Sequence, residues 1–267
     1  MIPKKIHYCW FGKEEIPSPL QKCMATWKEF LPDYEVVLWN EKKFDVNSIP
    51  WTKEAQEARK YAFVSDYIRL YAIYNEGGIY MDTDVIVKKN FDCFLKNDFF
   101  TAIESYTPPP NATNIVYVHK NGDLALRIAG MAIMSSVFGA KANHPYIKDC
   151  LDWYENKHFI LPDRSYFNKF TSNDIYATIA QKYGFRYKDE EQNLSGDMKI
   201  YPSSFIAQSI WNFNKDNFAI HCCAGSWNDK TLGSKLFGKY KFLRKLLKKR
   251  EKVDDVYEFV QNSPIWK

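Results

Sequence analysis

Asp82 and Asp84 stand one residue apart where the apolar run GGIYM, residues 77–81, ends. If the chain stays extended there, the two carboxylates face the same way, about 6–7 Å apart at roughly 3.3 Å per residue. Carboxylates that close repel each other unless a cation or hydrogen-bond donors lie between them. Oxygen ligands suit Mg²⁺ or Mn²⁺, which such sites share with substrate phosphates. The pair indicates a metal site, but an isolated D-x-D is also typical of a solvated strand end or of an Asp that caps a turn.

A second charged pair lies upstream, on a predicted helix. Asp66 and Arg69 are three residues apart and therefore share one helix face. Alone, that spacing is typical of an ion pair on the helix. The helix leads through Gly77 and Gly78 directly into the D-x-D, so helix and strand can converge on one pocket outside the carboxyl end of a sheet.

Hydrophobic periodicity predicts the elements that must position these residues. The predicted strands are 5–11, 34–40, 79–87, 99–105 and 126–134, with another within 217–227. The predicted helices are 19–32, 53–76, 144–157 and 173–184, and Gly77 is placed for a left-handed cap at the end of the second. The order strand–helix–strand–helix–strand in the first half predicts an α/β fold with parallel strands and right-handed crossovers.

Composition and charge bound the domain organisation. The chain has 267 residues, 46% of them hydrophobic, which is enough for one core. The formal net charge is +5, and the segment 229–252 holds ten Lys or Arg against two acids. We therefore expect a single α/β domain over 1–229 and a basic helical tail over 230–267.

The opening residues and the cysteines favour a cytoplasmic location. MIPKKIHYCWFG lacks the apolar run and cleavage site of a signal peptide, and no window reaches the ~18 apolar residues of a membrane span. The six cysteines have no CxxC spacing, so we expect reduced thiols rather than a disulfide scaffold or a zinc ribbon.

The string SDYIRLYAIYNEGGIYMDTDV, residues 65–85, is specific as a whole. It resembles the sugar-binding region with a D-x-D motif of glycosyltransferase family 32, whose relatives include capsular polysaccharide sugar transferases, yeast α-mannosyltransferases and the large clostridial glucosylating toxins. The residues that carry the resemblance are Ala62, Ser65, Asp66, Arg69, Gly77, Gly78, Tyr80, Asp82 and Asp84. The opening IPKKIHYCWFG is similar to the family's first strand, including Trp10 and Gly12, and HCCAGSW (221–227) resembles the element that closes the donor site.

The resemblance implies a GT-A (nucleotide-diphospho-sugar transferase) fold, with a Rossmann-like mixed sheet flanked by helices. It also implies transfer of a sugar from a nucleotide-sugar with retention at the anomeric carbon, using Mn²⁺ or Mg²⁺. Asp84 would coordinate the metal directly, and Asp82 would hold the ribose or sugar and a metal-bound water. The catalytic residues would then be Asp82, Asp84 and Arg69.

Further donor-site roles follow from the same resemblance. Asp66 and Arg69 would hydrogen-bond the donor sugar beside Tyr80, and Trp10 would stack on a uracil base. Ser226 and Trp227 would close over the diphosphate. A histidine that ends an apolar strand is often only a core residue, but the resemblance implies that His221 is a third metal ligand.

The acceptor side is less specified. The segment TSNDIYA (171–177) lies near the acceptor in relatives, which suggests Asn173 and Asp174, although Asp174 also suits a helix N-terminus. Retention by double displacement needs a carboxylate nucleophile, for which Glu104 and Asp174 are positional candidates. We favour front-face substitution, in which the leaving diphosphate assists the incoming hydroxyl.

These expectations combine into a hexosyltransferase that moves galactose, glucose or an N-acetylated form from a UDP-sugar to a glycan acceptor in capsule or O-antigen synthesis. The basic amphipathic stretch 234–252 suits either an anionic membrane surface near a lipid-linked acceptor or packing on the domain. Nucleic acid is not an expected partner, because the rest of the chain has no basic stripe. The alternatives are a nucleotidyltransferase that uses the Asp pair for metal, and a non-catalytic carbohydrate-binding relative.

Overall fold

The strands of the chain form one large sheet, a small second sheet and a hairpin. The computed structural model describes residues 1–107, 114–118, 124–167, 170–208 and 213–223. Within them the strands are β1 (Lys5–Cys9), β2 (Glu35–Trp39), β3 (Gly78–Met81), β4 (Val85–Val87), β5 (Phe99–Ser105), β6 (Ile115–Val118), β7 (Leu124–Arg127), β8 (Met131–Ala140), β9 (Gln192–Leu194), β10 (Met198–Tyr201), β11 (Ile206–Ala207) and β12 (Ala219–His221). The α-helices are α1 (Ser18–Phe30), α2 (Pro50–Glu57), α3 (Tyr61–Glu76), α4 (Pro145–Tyr154) and α5 (Ser172–Ala180). No helix of these described residues is long and apolar enough to cross a membrane.

The large sheet has seven strands in the order β2-β1-β3-β8-β5-β10-β9. β1 is parallel to β2 and β3, as the strand–helix–strand order predicts, and β10 is parallel to β5. β8 runs antiparallel to both of its neighbours, β3 and β5. The prediction of a mixed sheet flanked by helices is confirmed, and the parallel arrangement inferred for the first half extends only as far as β3.

Both faces of the large sheet are covered, because successive side chains of a strand point to opposite faces. In β3, Ile79 and Met81 pack with Trp27 of α1 on one face. Tyr80, between them, packs on the other face in the cluster that includes residues of α2, α3, α4 and α5. The side chain of Tyr80 therefore faces α3, the helix that carries Asp66 and Arg69.

The small sheet has the order β11-β12-β4 and lies where the D-x-D segment leaves the large sheet. β12 is antiparallel to β4, with His221 opposite Val85 and Ile220 opposite Ile86. This pairing carries a segment from late in the chain to the residue that follows Asp84.

Three predicted elements are wrong in their extent. The predicted helix 53–76 is two helices, because Arg59 between α2 and α3 adopts a left-handed φ of 55°. The bend allows Trp51 of α2 to fold back and donate its indole N–H to the Phe63 carbonyl at 2.8 Å. The predicted strand 126–134 is two antiparallel segments, β7 and β8, on either side of a turn that contains Gly130. The short strands β9 and β10 were not predicted.

The predicted strand 79–87 is also divided, at the D-x-D itself. A turn closed by a hydrogen bond from Val85 N–H to the Asp82 carbonyl (3.1 Å) separates β3 of the large sheet from β4 of the small one. The chain is therefore not extended from Asp82 to Asp84, and the separation expected for an extended pair does not apply. At the start of β3, Gly77 has a positive φ of 63° but a ψ of 178°, so it is not the left-handed helical cap that the sequence suggests.

Candidate active site

The turn after β3 brings together three potential metal ligands. One ligand atom from each of Asp82, Asp84 and His221 lies within 4.8 Å of the others. Nε2 of His221 is 3.4 Å from Oδ1 of Asp84, and Asp84 is buried. Two carboxylates and an imidazole form a donor set that suits Mn²⁺ or Mg²⁺. The residues present thus fit the divalent cation that the D-x-D pattern implies.

In this metal-ligand set two carboxylates lie beside a histidine, and their charges shift the pKa values of His221 and Asp82. Burial lowers the pKa of His221, but Asp84 and Cys223 together outweigh it, so the pKa of His221 is raised well above its usual value. Burial raises the pKa of Asp82, with a further contribution from Asp84, although Arg69 opposes the shift. A bound cation would take over the role of the proton on His221, because a metal ligand must be neutral imidazole.

A network of charged and phenolic groups adjoins the metal-ligand set. The Tyr80 hydroxyl donates to Oδ1 of Asp82 at 2.7 Å, and the same oxygen lies 3.6 Å from Nη2 of Arg69. Nη2 of Arg69 is also 3.1 Å from Oδ1 of Asp66. The Arg69 guanidinium lies over the Tyr80 ring at 4.7 Å. Helix α3 and strand β3 therefore converge, as the sequence suggests, with Arg69 as the bridge between two carboxylates.

Arg69 is held on every side. Its Nε donates to the Ser65 carbonyl at 3.2 Å, and its Nη1 donates to the carbonyl of Ser135 at 3.0 Å. The remaining nitrogen faces Asp66 and Asp82. In this arrangement the guanidinium fixes the two carboxylates, and direct contact of Arg69 with a sugar remains a prediction.

Asp66 is buried beside Arg69. Burial raises the pKa of Asp66 to about 6, and the neighbouring Asp82 adds to the shift, while Arg69 and a hydrogen bond with Ser172 lower it. With this pKa the carboxyl is mostly ionised at physiological pH and therefore accepts hydrogen bonds. This property suits a group that faces sugar hydroxyls.

Trp10 lies just beyond β1, at the carboxyl end of the same parallel strands. Its backbone N–H donates to the Trp39 carbonyl at 3.0 Å, and its indole N–H donates to the Glu14 carbonyl at 2.7 Å. These bonds hold the partly exposed ring at the edge of the sheet where ligands of α/β folds bind. Stacking of Trp10 on a base stays a prediction.

The two residues suggested for the acceptor side have different surroundings. Asp174 is buried in a capping box with Thr171, where its Oδ2 accepts from the Thr171 N–H at 2.9 Å, and it also accepts from Nε of Arg127 at 3.0 Å. These hydrogen bonds are those of a residue that caps a helix N-terminus, the other role that the sequence suggests for Asp174. Asn173 is partly exposed, and its Oδ1 accepts a hydrogen bond from the Ser135 hydroxyl.

Glu104 of β5 also lies near the metal-ligand set. It is half-buried in β5, opposite Ala132 of β8. Burial raises the pKa of Glu104 to about 7, with Asp174 and Asp82 adding to the shift and His221 opposing it. Its carboxyl is therefore within electrostatic range of both the D-x-D and α5, which keeps it a candidate for chemistry at this site.

Some predictions fall outside the described residues, namely Ser226, Trp227 and the basic stretch 234–252. Conversely, the structure reveals one residue that sequence reasoning missed. Ser135 contacts both Arg69 and Asn173, yet a serine in an apolar strand carries no sequence signal that it belongs to a site.

Comparison with protein families identifies the site. Residues 17–101 match the family described as "Glycosyltransferase sugar-binding region containing DXD motif". This part of the chain is similar to a glycosyltransferase sugar-binding region. The match contains the charged pair Asp66 and Arg69 of α3 and the D-x-D itself, and it confirms the resemblance to glycosyltransferase family 32.

Individual relatives of the sugar-binding region are more distant. Inositol phosphoceramide mannosyltransferase 3 of Schizosaccharomyces pombe is 33% identical over 98 residues, which cover 35% of this chain and 27% of that protein. Inositol phosphoceramide mannosyltransferase 2 of the same organism is 25% identical over 245 residues, or 87% of this chain and 60% of the relative. The chain thus spans between about a quarter and 60% of the length of these relatives. Among solved structures, a complex of the galactosyltransferase LgtC with donor and acceptor sugar analogs matches with a TM-score of 0.44 and 11% identity, over 96% of this chain and 99% of that one.

Proposed function

We propose that this protein has the GT-A fold and is a metal-dependent, retaining glycosyltransferase that moves a hexose from a UDP-sugar to a hydroxyl of a glycan acceptor. The observation that carries the proposal is the cluster of Asp82, Asp84 and His221 beside the Asp66–Arg69 pair, within a family of sugar-binding regions. The cluster suits the diphosphate of a donor, and the pair suits its sugar.

The side chains of the site have different roles, which follow from their positions. Asp84, Asp82 and His221 would hold a divalent cation, which supplies charge neutralisation for the leaving diphosphate. Tyr80 and Arg69 keep Asp82 in a fixed orientation, since both contact its Oδ1. Asp66 would hydrogen-bond the hexose from the same wall of the pocket.

Retention fits a front-face substitution at this site. The bond from the anomeric carbon to the phosphate oxygen breaks, the acceptor hydroxyl oxygen bonds to the same face, and its proton passes to the leaving phosphate oxygen. Glu104 is a candidate nucleophile for a covalent route, because its carboxyl lies within electrostatic range of Asp82 and His221. Transfer activity of Glu104→Gln distinguishes the two routes. Retained activity supports front-face substitution, and lost activity supports the covalent route.

The acceptor of this transferase is proposed to be lipid-linked. The relatives named above are mannosyltransferases of inositol phosphoceramide, a membrane lipid, and the stretch 234–252 is basic and amphipathic. A basic amphipathic helix binds anionic membrane surfaces. We therefore place the protein in surface polysaccharide or glycolipid synthesis at the cytoplasmic face of a membrane, with mannose added to the candidate sugars.

A donor panel tests the function. The protein is incubated with Mn²⁺ and separately with UDP-glucose, UDP-galactose, their N-acetylated forms and GDP-mannose, and slow hydrolysis of the donor is followed by release of the nucleoside diphosphate. We expect turnover of one donor that is lost in Asp84→Asn. The matched control is Asp98→Asn, because Asp98 pairs with Lys141 at the opposite end of β5.

Each other outcome indicates a different function for the protein. Binding of a donor without hydrolysis or transfer indicates a carbohydrate-binding relative. Release of pyrophosphate from a nucleoside triphosphate and a sugar phosphate indicates a nucleotidyltransferase. Absence of binding and turnover with every donor in the presence of metal would overturn the proposal.

A further inference from the structure

Strand β8 contains a large bulge beside the candidate site. Thr101 of β5 pairs with Phe138 of β8, but Ile103, two residues later, pairs with Ile133. One residue of β5 therefore faces the four residues 134–137 of β8. The Thr101 hydroxyl holds both ends of the bulge, lying 2.9 Å from the Met134 carbonyl and 2.8 Å from the Val137 carbonyl. Bulges of this kind redirect side chains and are common next to active sites.

The bulge connects directly to the D-x-D and to α3. The Ser136 carbonyl accepts from the backbone N–H of Asp82 at 2.9 Å, and the Ser135 carbonyl accepts from Nη1 of Arg69 at 3.0 Å. The Asp82–Ser136 bond continues the regular register of β3 on β8, in which Met81 pairs with Val137. The Ser135 carbonyl, which successive carbonyls of a regular strand would turn toward β5, instead accepts from Arg69 of α3. Strand β8 thus contacts both Asp82 and Arg69 from this bulge.

The Ser135 hydroxyl has a fully assigned set of hydrogen bonds. It accepts from Nη1 of Arg69 at 3.3 Å and from the Ser172 hydroxyl at 3.0 Å, and it donates to Oδ1 of Asn173. A hydroxyl has one proton, and Ser135 uses it toward Oδ1 of Asn173, because a carboxamide oxygen can only accept. Since the carboxamide oxygen of Asn173 faces Ser135, its N–H₂ group points away from the serine.

The outward N–H₂ group of Asn173 supplies a hydrogen-bond donor, which the site otherwise needs. The carboxylates of Asp66 and Asp82 accept hydrogen bonds when ionised, and the nitrogens of Arg69 already face protein acceptors. Sugar hydroxyls both donate and accept, so binding them by carboxylates alone would leave their oxygen lone pairs without donors. Asn173 is partly exposed and lies one hydrogen bond from Ser135, which is itself bonded to Arg69.

We propose that Ser135 is a positioning residue that aims the Asn173 N–H₂ group at the hexose of the nucleotide-sugar. The inference rests on the proposed function and assigns a sugar-specific role to a buried serine. Ser135 acts through Asn173, and it does so from the bulge that also holds Asp82 and Arg69.

The test compares Ser135→Ala with Ser136→Ala. Ser136 is equally buried in the same bulge, and its hydroxyl has no hydrogen-bond partner among the described residues, while its carbonyl is unchanged by the substitution. Affinities for the nucleotide-sugar that the protein hydrolyses and for the free nucleoside diphosphate are measured by calorimetry with Mn²⁺. We expect Ser135→Ala to weaken nucleotide-sugar binding about 5- to 20-fold, the effect of one lost hydrogen bond, without changing nucleoside diphosphate binding. Ser136→Ala should behave as the wild type.

The double variant isolates the route through Asn173. In an Asn173→Ala background, Ser135→Ala should add less than twofold to the loss of nucleotide-sugar affinity. If Ser135→Ala does not fold, Asn173→Asp carries the test, because it keeps an oxygen on Ser135 and replaces the outward N–H₂ by a second oxygen. That variant should lose nucleotide-sugar affinity and keep nucleoside diphosphate affinity.

Three results overturn the inference while leaving the proposed function in place. In the first, Ser135→Ala weakens the binding of nucleotide-sugar and of nucleoside diphosphate equally. In the second, Ser135→Ala and Ser136→Ala have equal effects on nucleotide-sugar affinity. In the third, Ser135→Ala has an undiminished effect in the Asn173→Ala background. Failure of the wild-type protein to bind any nucleotide-sugar instead overturns the proposed function, and this inference with it.

Discussion

Nε2 of His221 lies 3.4 Å from Oδ1 of Asp84 because the strand that ends at His221 pairs with the strand that follows Asp84. The backbone N–H of Cys222 also donates to the Asp84 carbonyl at 3.0 Å. Backbone pairing therefore sets the approach of imidazole to carboxylate, and the flexible reach of the side chains contributes little. The metal-ligand set depends on the small sheet as much as on the D-x-D.

Loss of the His221 imidazole should weaken metal binding. We expect His221→Ala to reduce Mn²⁺ affinity by more than roughly 100-fold, since changes outside the ligand shell already cost 10- to 100-fold. The measurement is a Mn²⁺ titration followed by electron paramagnetic resonance. His158→Ala is the control, because His158 is exposed and pairs with Glu54 away from the D-x-D. Unchanged Mn²⁺ affinity in His221→Ala would remove the histidine from the metal site.

Loss of the Tyr80 hydroxyl should disturb Asp82 without disturbing the fold. Tyr80→Phe removes the donor that lies 2.7 Å from Oδ1 of Asp82, so we expect a 10- to 100-fold fall in metal affinity or kcat/KM. Tyr176→Phe is the matched control, because its phenol is equally buried and its hydroxyl has no hydrogen-bond partner among the described residues. Equal activity of both variants and the wild type would show that the Tyr80 hydroxyl does not position Asp82.

Stability of the D-x-D strand should depend on Gly78. Its φ is +115°, and a Cβ there would lie 2.8 Å from the Lys5 carbonyl oxygen of β1. Gly78→Ala should lower the free energy of unfolding by roughly 2–3 kcal/mol, from backbone strain and steric overlap together. In Gly184→Ala, where φ is +100° but nothing lies within 4 Å of the new Cβ, only strain of about 1 kcal/mol should remain. Urea unfolding measures both, and equal losses would show that contact with β1 is unimportant.

The Glu104 carboxyl should make stability depend on pH. Its folded pKa of about 7 lies above the usual value of 4.5, so the native state binds more protons than the unfolded state between these values. The free energy of unfolding should therefore fall as pH rises from about 4.5 to 7, by about 1–2 kcal/mol after allowance for partial exposure. Urea unfolding with a chelator present should show that this fall is absent in Glu104→Gln. The exposed Glu15→Gln should retain it, and persistence of the fall in Glu104→Gln would show that Glu104 is not its source.

Local spacing determined the parts of the site that lie within one or two turns of chain. Asp66 and Arg69 are three residues apart in a helix, so their side chains meet whatever the rest of the fold does, and the structure places them 3.1 Å apart. The Gly77–Gly78 break before the buried strand and the D-x-D after it were likewise visible in the sequence. Alternating side chains in β3 also place Tyr80 on the α3 face.

Tertiary structure decided what depends on pairing between distant segments. The turn that divides 79–87 follows from β3 and β4 joining different sheets, and local propensity carries no information about that choice. The approach of His221 follows from the register of β12 on β4, and the contacts of Ser135 follow from a bulge in which four residues of β8 face one residue of β5. Sequence by itself indicated the D-x-D, the Asp66–Arg69 pair and His221 as candidates, but it did not indicate Ser135. Long-range strand pairing specified their distances, because only the assembled sheets bring those backbones together.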